Sequence, residues 1–194
     1  IRHTFERFNN IVPNENFLVV TNSRYKELVM QHIPELKEEQ ILCEPIGRNT
    51  APCIAYAAHT LQKINPDAEM IVTPADHLIL NEKEFLSIVN HAVDFIADKS
   101  ALMTTGVHPA RPETGYGYIA AGEPHCGGPV LNVSSFREKP VLEVAREYLA
   151  AGNYLWNAGI FVWNVDTIVE SMRAFVPDLA AKMDTMSESF YTPD

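Results

Sequence analysis

A chain of 194 residues with 46% hydrophobic content is able to bury a sizeable core, yet none of its apolar runs approaches the roughly 20 residues that span a bilayer. Its formal net charge of -10 repels polyanions at long range and argues against a nucleic-acid surface of clustered Lys and Arg. Small phosphorylated ligands stay open, because the screening length at physiological salt is only about 8 Å and a few local cations override distant carboxylates.

The chain opens at Ile1, and "IRHTFERFNNIVPNENF" reads as the late part of a helix followed by a loop. The expectation is that the beginning of a longer protein is missing. "FLVVT" is a short apolar, β-branched strand, and "NSRYKELVMQHI" is a helix behind an Asn22 cap, with Leu28, Val29 and Ile33 at helical spacing. "ILCE" predicts a second strand, after which "APCIAYAAHTLQKI" repeats apolar residues on one helical face beginning near Thr50. "EMIVTP" is a third strand; "NEKEFLSIVNHAVDFIADKS" is a long helix with Asn81 as cap and Glu84 three residues on. "ALMTTGV" closes the run as another strand. Three strand–helix units in succession predict an α/β fold with a mainly parallel sheet, since parallel neighbours need crossover helices.

Beyond residue 107 the pattern changes. Pro109, Pro112, Pro124 and Pro129 interrupt the chain, and alternation in "GYGYIA" and "VLNVSSFREK" predicts antiparallel or mixed strands bordering a pocket. A helix from about Val141 to Ala151 ends at Gly152; "YLWNAGIFVWN" is a strand; "DTIVESMRAFVPDLAAKM" is helical with a break at Pro177. No repeat, linker or second-domain boundary is visible, so residues 1–194 are read as a single domain. Cys43, Cys53 and Cys126 form no C-x-x-C pair and read as buried free thiols in a reducing cytoplasm. "HCGG" at 125–128 has no partner at zinc spacing.

Ligands of open parallel α/β sheets sit at the carboxyl ends of the strands. Five polar segments fall at or near such ends: "EPIGRNTAP" at 44–52, "PADH" at 74–77, "ETGYGYI" at 113–119, "FREKP" at 136–140 and "WNAGIF" at 156–161. Singly, each has a structural explanation. Asp76 is a common turn cap, Arg48 and Asn49 suit a solvated helix start, Glu138 and Lys139 suit a charged lead-in to a helix, and Gly115 and Gly117 shape turns. Asn157 fits less easily, because a buried amide is costly unless paired.

In this order the segments resemble the sugar-1-phosphate nucleotidyltransferases, and within them the mannose-1-phosphate guanylyltransferase (GDP-mannose pyrophosphorylase) branch; the resemblance runs from about Asn14 to Asp166. It implies a Rossmann-like mixed, mainly parallel sheet flanked by helices, of the nucleotide-diphospho-sugar transferase type. It also implies transfer of GMP from GTP to mannose-1-phosphate with Mg²⁺, in a cytoplasmic enzyme. Other hexose-1-phosphate substrates, or a non-catalytic nucleotide-sugar-binding subunit, are the alternatives. By the same resemblance Asp76 holds the metal against the GTP phosphates. Lys139 faces the sugar phosphate, Glu138 and Asn157 meet sugar hydroxyls, and Gly117 lets backbone approach the hexose. Glu44, Arg48, Asn49 and Thr50 lie beside the nucleotide, and His77 makes a structural hydrogen bond. The family's glycine-rich phosphate loop and a later metal-binding Asp are absent from these residues. The chain therefore reads as an interior segment, incomplete at both ends, with negligible turnover expected of it alone. Association of copies into a homo-oligomer, a dimer, is expected to cover the resulting sheet edge.

Overall fold

The structure, a computed structural model, describes residues 1–44, 46, 47 and 49–187. The described residues gather into two compact units, one formed by those of 1–103 and from 162 onward and the other by 104–161.

The first unit begins with helix α1 (Arg2–Phe8), whose Phe5 and Phe8 are buried. Phe5 packs with Ile33 and Leu36, and its ring centroid lies 4.6 Å from that of Phe17. This aromatic contact carries the chain into strand β1 (Val19–Asn22). Asn22 accepts a hydrogen bond from the Arg24 N–H at 3.1 Å, so the predicted cap closes a single 3-10 turn that feeds helix α2 (Lys26–His32). Val29 and Ile33 are buried as expected, but Leu28 is half exposed. Strand β2 (Ile41–Glu44) pairs in parallel with β1, Val19 opposite Ile41 and Asn22 opposite Glu44. Both strands thus end at the same edge, and Glu44 is the last paired residue there.

Helix α3 (Thr50–Ile64) buries Ile54, Ala55, Ala57 and Ala58. Strand β3 (Glu69–Val72) follows, then helix α4 (Glu82–Ile96). Asn81 caps α4 by accepting from the Glu84 N–H, while its amide donates to the Glu84 carboxylate at 2.7 Å. Ala92 and Ile96 of α4 close on Val162 in a second apolar cluster, with Ile71 and Met103 packed against it. Helix α6 (Val165–Phe175) and helix α7 (Pro177–Ser187) complete the unit, and the break falls where Pro177 starts α7 without needing an N–H donor.

The second unit is antiparallel. Strand β4 (Met103–Val107) enters it, and strand β5 (Tyr118–Pro124) pairs antiparallel with both β6 (Leu131–Arg137) and β7 (Tyr154–Asn164). β4 also pairs β7. Helix α5 (Leu142–Ala151) ends on Gly152 at φ 75°, the left-handed position that favours glycine. Tyr148 of α5 stacks on Tyr154, centroids 3.9 Å apart, and tilts against the fully buried Tyr118.

The mixed α/β class holds: β1 and β2 pair in parallel, and β5 pairs antiparallel with β6 and β7, as the alternation beyond residue 107 allows. Among the described residues β1 and β2 form a two-stranded sheet, and β3 is bonded to β7 instead. The antiparallel run of β5 and β6 follows from connection length: they are joined by one tight turn at His125–Gly127, too short for a crossover helix. The expectation of buried thiols needs correcting. Cys43 and Cys53 are half-buried, and Cys126 is exposed on that turn with φ 50°.

Candidate active site

In the first unit, the segment after β2 presents the start of α3. Asn49 has φ 66° and ψ -172°, a conformation costly for any residue but glycine. Its side chain makes no capping bond, so Asn49 leaves the N–H groups of Thr50 and Ala51 at the head of this 15-residue helix uncapped. Thr50 is exposed beside them, and among the described residues, its chain neighbours aside, no heavy atom lies within 4 Å of the position a Gly47 Cβ would take. A helix start of this kind suits an anion. Arg48 lies outside the described residues.

Glu44 is half-buried at the end of β2, and burial pushes its carboxyl above the usual carboxylate range. Burial, then the Glu44 charge, pushes the Cys53 thiol up to about 11. Tyr56 is raised by burial with smaller effects of Cys43 and Glu44. The Glu44 charge is thus felt at Cys53 and Tyr56 of α3.

Asp76 stands beyond its strand, on a turn. β3 stops at Val72, and Asp76 is exposed four residues later. Pro74 lies between them and has no N–H to extend the strand. The turn is clamped from α1. Thr4 Oγ1 donates to the Ala75 carbonyl and Arg7 Nη2 to the His77 carbonyl, each at 3.1 Å. His77 is thus held through its backbone. Arg7 is 3% exposed, and among the described residues its Nε and Nη1 have no hydrogen-bond partner, though Nε forms an ion pair with Glu82 at 3.6 Å. Among the described residues no three His, Cys, Asp or Glu side chains gather into a metal cage. A divalent ion at Asp76 would have one protein carboxylate and would draw its other oxygens from phosphates and water, an arrangement Mg²⁺ commonly adopts.

In the second unit three expected residues converge. The Asn157 N–H donates to the Gly117 carbonyl at 2.8 Å. A Cβ on Gly117 would stand 2.8 Å from Glu138 Oε2 and 3.6 Å from Asn157 Cβ. Asn157 Oδ1 accepts from Thr104 Oγ1 at 3.3 Å and the Gly159 N–H at 3.0 Å, which fixes the orientation of the amide and leaves its NH₂ to donate elsewhere. Lys139 has φ 41°, with its Nζ 3.5 Å from Glu138 Oε1. The place of Lys139 before Pro140 makes that conformation doubly unfavourable, since proline pushes its predecessor towards extended backbone. A carboxylate, an amide donor and an ammonium around an open glycine are what a polar, hydroxyl-rich anion needs.

Glu113 was not singled out from the sequence. Its carboxylate accepts the N–H groups of Thr114 and Gly115, each at 3.0 Å, and pairs with Arg111 at 3.0 Å. The only sequence signal was its place in "PETGYG", which looks like any acidic turn. Arg7 was missed too, because an arginine in a short helix reads as solvated.

Residues 1–188 match the nucleotidyl transferase family. The chain is 41% identical over 179 residues to the mannose-1-phosphate guanylyltransferase ManC of Salmonella typhimurium, covering 89% of this chain and 37% of that protein. To the mannose-1-phosphate guanylyltransferase of Escherichia coli it is 38% identical, covering 88% of this chain and 37% of that protein. The chain thus spans little more than a third of these relatives. Among solved structures it resembles a mannose-1-phosphate geranyltransferase from Thermus thermophilus, with TM-score 0.85, 27% identity and 96% and 53% of the two chains covered. It also resembles a mannose-6-phosphate isomerase from Helicobacter pylori, with TM-score 0.82, 30% identity and 97% and 70% covered. With a match along nearly its whole length, the chain belongs to the nucleotidyl transferase family.

Proposed function

We propose that this chain supplies nucleotide- and sugar-phosphate-binding residues of a mannose-1-phosphate guanylyltransferase, which transfers GMP from GTP to mannose-1-phosphate and releases pyrophosphate. The observation that carries the reading is the grouping of Gly117, Glu138 and Asn157 in the second unit, with Lys139 held next to them in a strained backbone conformation.

In the reaction an oxygen of the mannose-1-phosphate phosphate forms a bond to the α-phosphorus of GTP. The bond from that phosphorus to the β-bridging oxygen breaks, and pyrophosphate leaves with the electron pair. No general base is required, because the attacking phosphate is already anionic. The protein's task is to hold two polyanions in line and offset their repulsion. Lys139 sets its ammonium against the sugar phosphate, Glu138 accepts from hexose hydroxyls and the Asn157 amide donates to one. Glu44, Arg48, Asn49 and Thr50 lie along the nucleotide, with the uncapped N–H groups of α3 turned to it. Mg²⁺, when bound at Asp76, neutralises charge on the triphosphate. A cytoplasmic setting agrees with three free cysteines. Homodimer formation is part of the same reading, supported by the outer edges that β1 and β2 leave unpaired among the described residues.

The test is a product assay on the full-length protein with a panel of sugar-1-phosphates and nucleoside triphosphates. GDP-mannose as the preferred product is expected. Faster turnover of glucose-1-phosphate with another triphosphate, or binding of nucleotide sugar without turnover, would overturn the reading.

A further inference from the structure

The loop that ends at Gly117 is tied at both ends, and one residue does most of the tying. Glu113 Oε1 accepts the N–H groups of Thr114 and Gly115, both at 3.0 Å. Its Oε2 accepts from Arg111 Nη2 at 3.0 Å and Nε at 3.2 Å. Its backbone carbonyl accepts from the hydroxyl of Tyr118 at 2.9 Å, and Tyr118 is fully buried in β5. The Arg111 guanidinium lies over the Trp156 ring at 5.5 Å, and Tyr116 meets the same ring edge-on at 5.3 Å. Trp156 precedes Asn157, whose N–H holds the Gly117 carbonyl.

The loop has two glycines, so its backbone is intrinsically free, and ordering it is entropically costly. Removing the Glu113 carboxylate returns two N–H groups to water and releases Arg111 from its partner. The turn from 113 to 117 then loses the bonds that define its path. A shift of Gly117 by about one ångström is enough to spoil its approach to a ligand held by Glu138 and Asn157.

We propose that Glu113 is the positioning residue of the sugar half of the site, shaping the 113–117 turn from within so that Gly117 stands open beside Glu138 and Asn157. This rests on the reading of those three residues as the hexose-binding group. Glu113 does not touch the sugar; it acts through the backbone. The Thr114 and Gly115 N–H groups need an oxygen acceptor in that place and do not need a charge, so Glu113→Gln retains most of the function. The Gly115 N–H, then Arg111, hold the Glu113 carboxyl below its usual range, which keeps it an acceptor throughout the neutral pH range.

The experiment compares Glu113→Ala, Glu113→Gln and Asn157→Ala in the full-length protein by steady-state kinetics, and by amide exchange at Thr114 and Gly115. For Glu113→Ala the KM for mannose-1-phosphate rises about tenfold or more, with the KM for GTP changed by less than about twofold. Glu113→Gln stays within about threefold of the parent, and exchange at 114 and 115 quickens only in the Ala variant. A purely structural role would move both KM values, or neither. A folded Ala variant with unchanged mannose-1-phosphate KM overturns the inference while Asn157→Ala still raises that KM. If Asn157→Ala also leaves it unchanged, the functional reading fails and takes the inference with it. Should Glu113→Ala not fold, Glu113→Met, similar in length but with no oxygen acceptor for the two N–H groups, decides by the same split between the two KM values.

Discussion

Glu138 Oε2 occupies the space beside Gly117, 2.8 Å from where a Cβ on that glycine would stand. The neighbour is the tip of a flexible, 72% exposed side chain rather than backbone, so it can swing aside at little cost to folding. The backbone at Gly117 also has no left-handed requirement.

Gly117→Ala is therefore expected to fold normally and bind poorly. The alanine methyl displaces the carboxylate from the sugar side of the loop, and mannose-1-phosphate affinity drops about tenfold with melting temperature nearly unchanged. Calorimetric binding and thermal denaturation on the same samples check this. Loss of stability with unchanged binding would show that Glu138 has no part in the site.

Lys139 separates charge from backbone strain. Its φ of 41° before Pro140 costs on the order of 1 kcal/mol. Lys139→Ala removes the ammonium and keeps the strain, whereas Lys139→Gly removes both. Both variants are expected to raise the KM for mannose-1-phosphate, with little change in GTP binding. The glycine variant should melt at or above the alanine variant, because relief of strain offsets the added freedom of its unfolded chain. Equal KM values for parent and both variants would remove the ammonium from the site.

Local chemistry made part of this fold legible. Asn81 with Glu84, Gly152 after α5 and Pro177 at the head of α7 all act within one turn of their own position, and all appear where the sequence placed them. Residues whose role is set by distant partners did not show. Arg7 reads as a solvated charge until α1 is seen to lie against the turn seventy residues on. Asp76 reads as lying at or near a strand end because the apolar run continues to Pro74; β3 stops at Val72, and the carboxylate stays exposed on the turn beyond it, since burial without a cation is costly. The later strands are legible as antiparallel or mixed, since alternation marks a sheet with one buried face, but which strand pairs with which is not. Gly117, Glu138 and Asn157 came from the resemblance, and their proximity needed the β5–β7 register to appear.

Arg7→Met weighs two opposed effects. The bond from a charged guanidinium to the His77 carbonyl stabilises by about 1.5–3 kcal/mol, while the buried Nη1, which among the described residues has neither a hydrogen bond nor the Glu82 carboxylate that faces Nε at 3.6 Å, costs about 1–3 kcal/mol. The sum leaves global stability within about 2 kcal/mol of the parent. The turn at 75–77 loses its tether, and its amide exchange is expected to quicken about tenfold in the absence of any metal. Thr4→Val, which frees only the Ala75 carbonyl, should give a smaller change in the same peptide. Denaturant titration and exchange mass spectrometry distinguish this local loosening from general destabilisation.

The thiols offer a test by pH. Cys53 sits in the first turn of α3, half-buried, with its pKa raised from 9.0 to about 11, while Cys126 is exposed. A rise of that size leaves roughly 100-fold less thiolate near neutral pH, and the greater nucleophilicity of a more basic thiolate returns about tenfold of that. Alkylation of Cys53 at about pH 8 should thus be about tenfold slower than that of an ordinary thiol, before any steric shielding, with Cys126 the first to react. The sign for stability follows from the same rise. The folded chain binds this proton more tightly than the unfolded chain, so the contribution is complete below pH 9.0 and is lost as pH rises towards about 11. Cys53→Ser should flatten the decline of stability over that window, and mass spectrometry of timed alkylation identifies which thiol reacts. Rapid labelling of Cys53 at the same mildly alkaline pH would mean that the first turn of α3 opens to solvent, and that the helix start is not a fixed platform for a nucleotide.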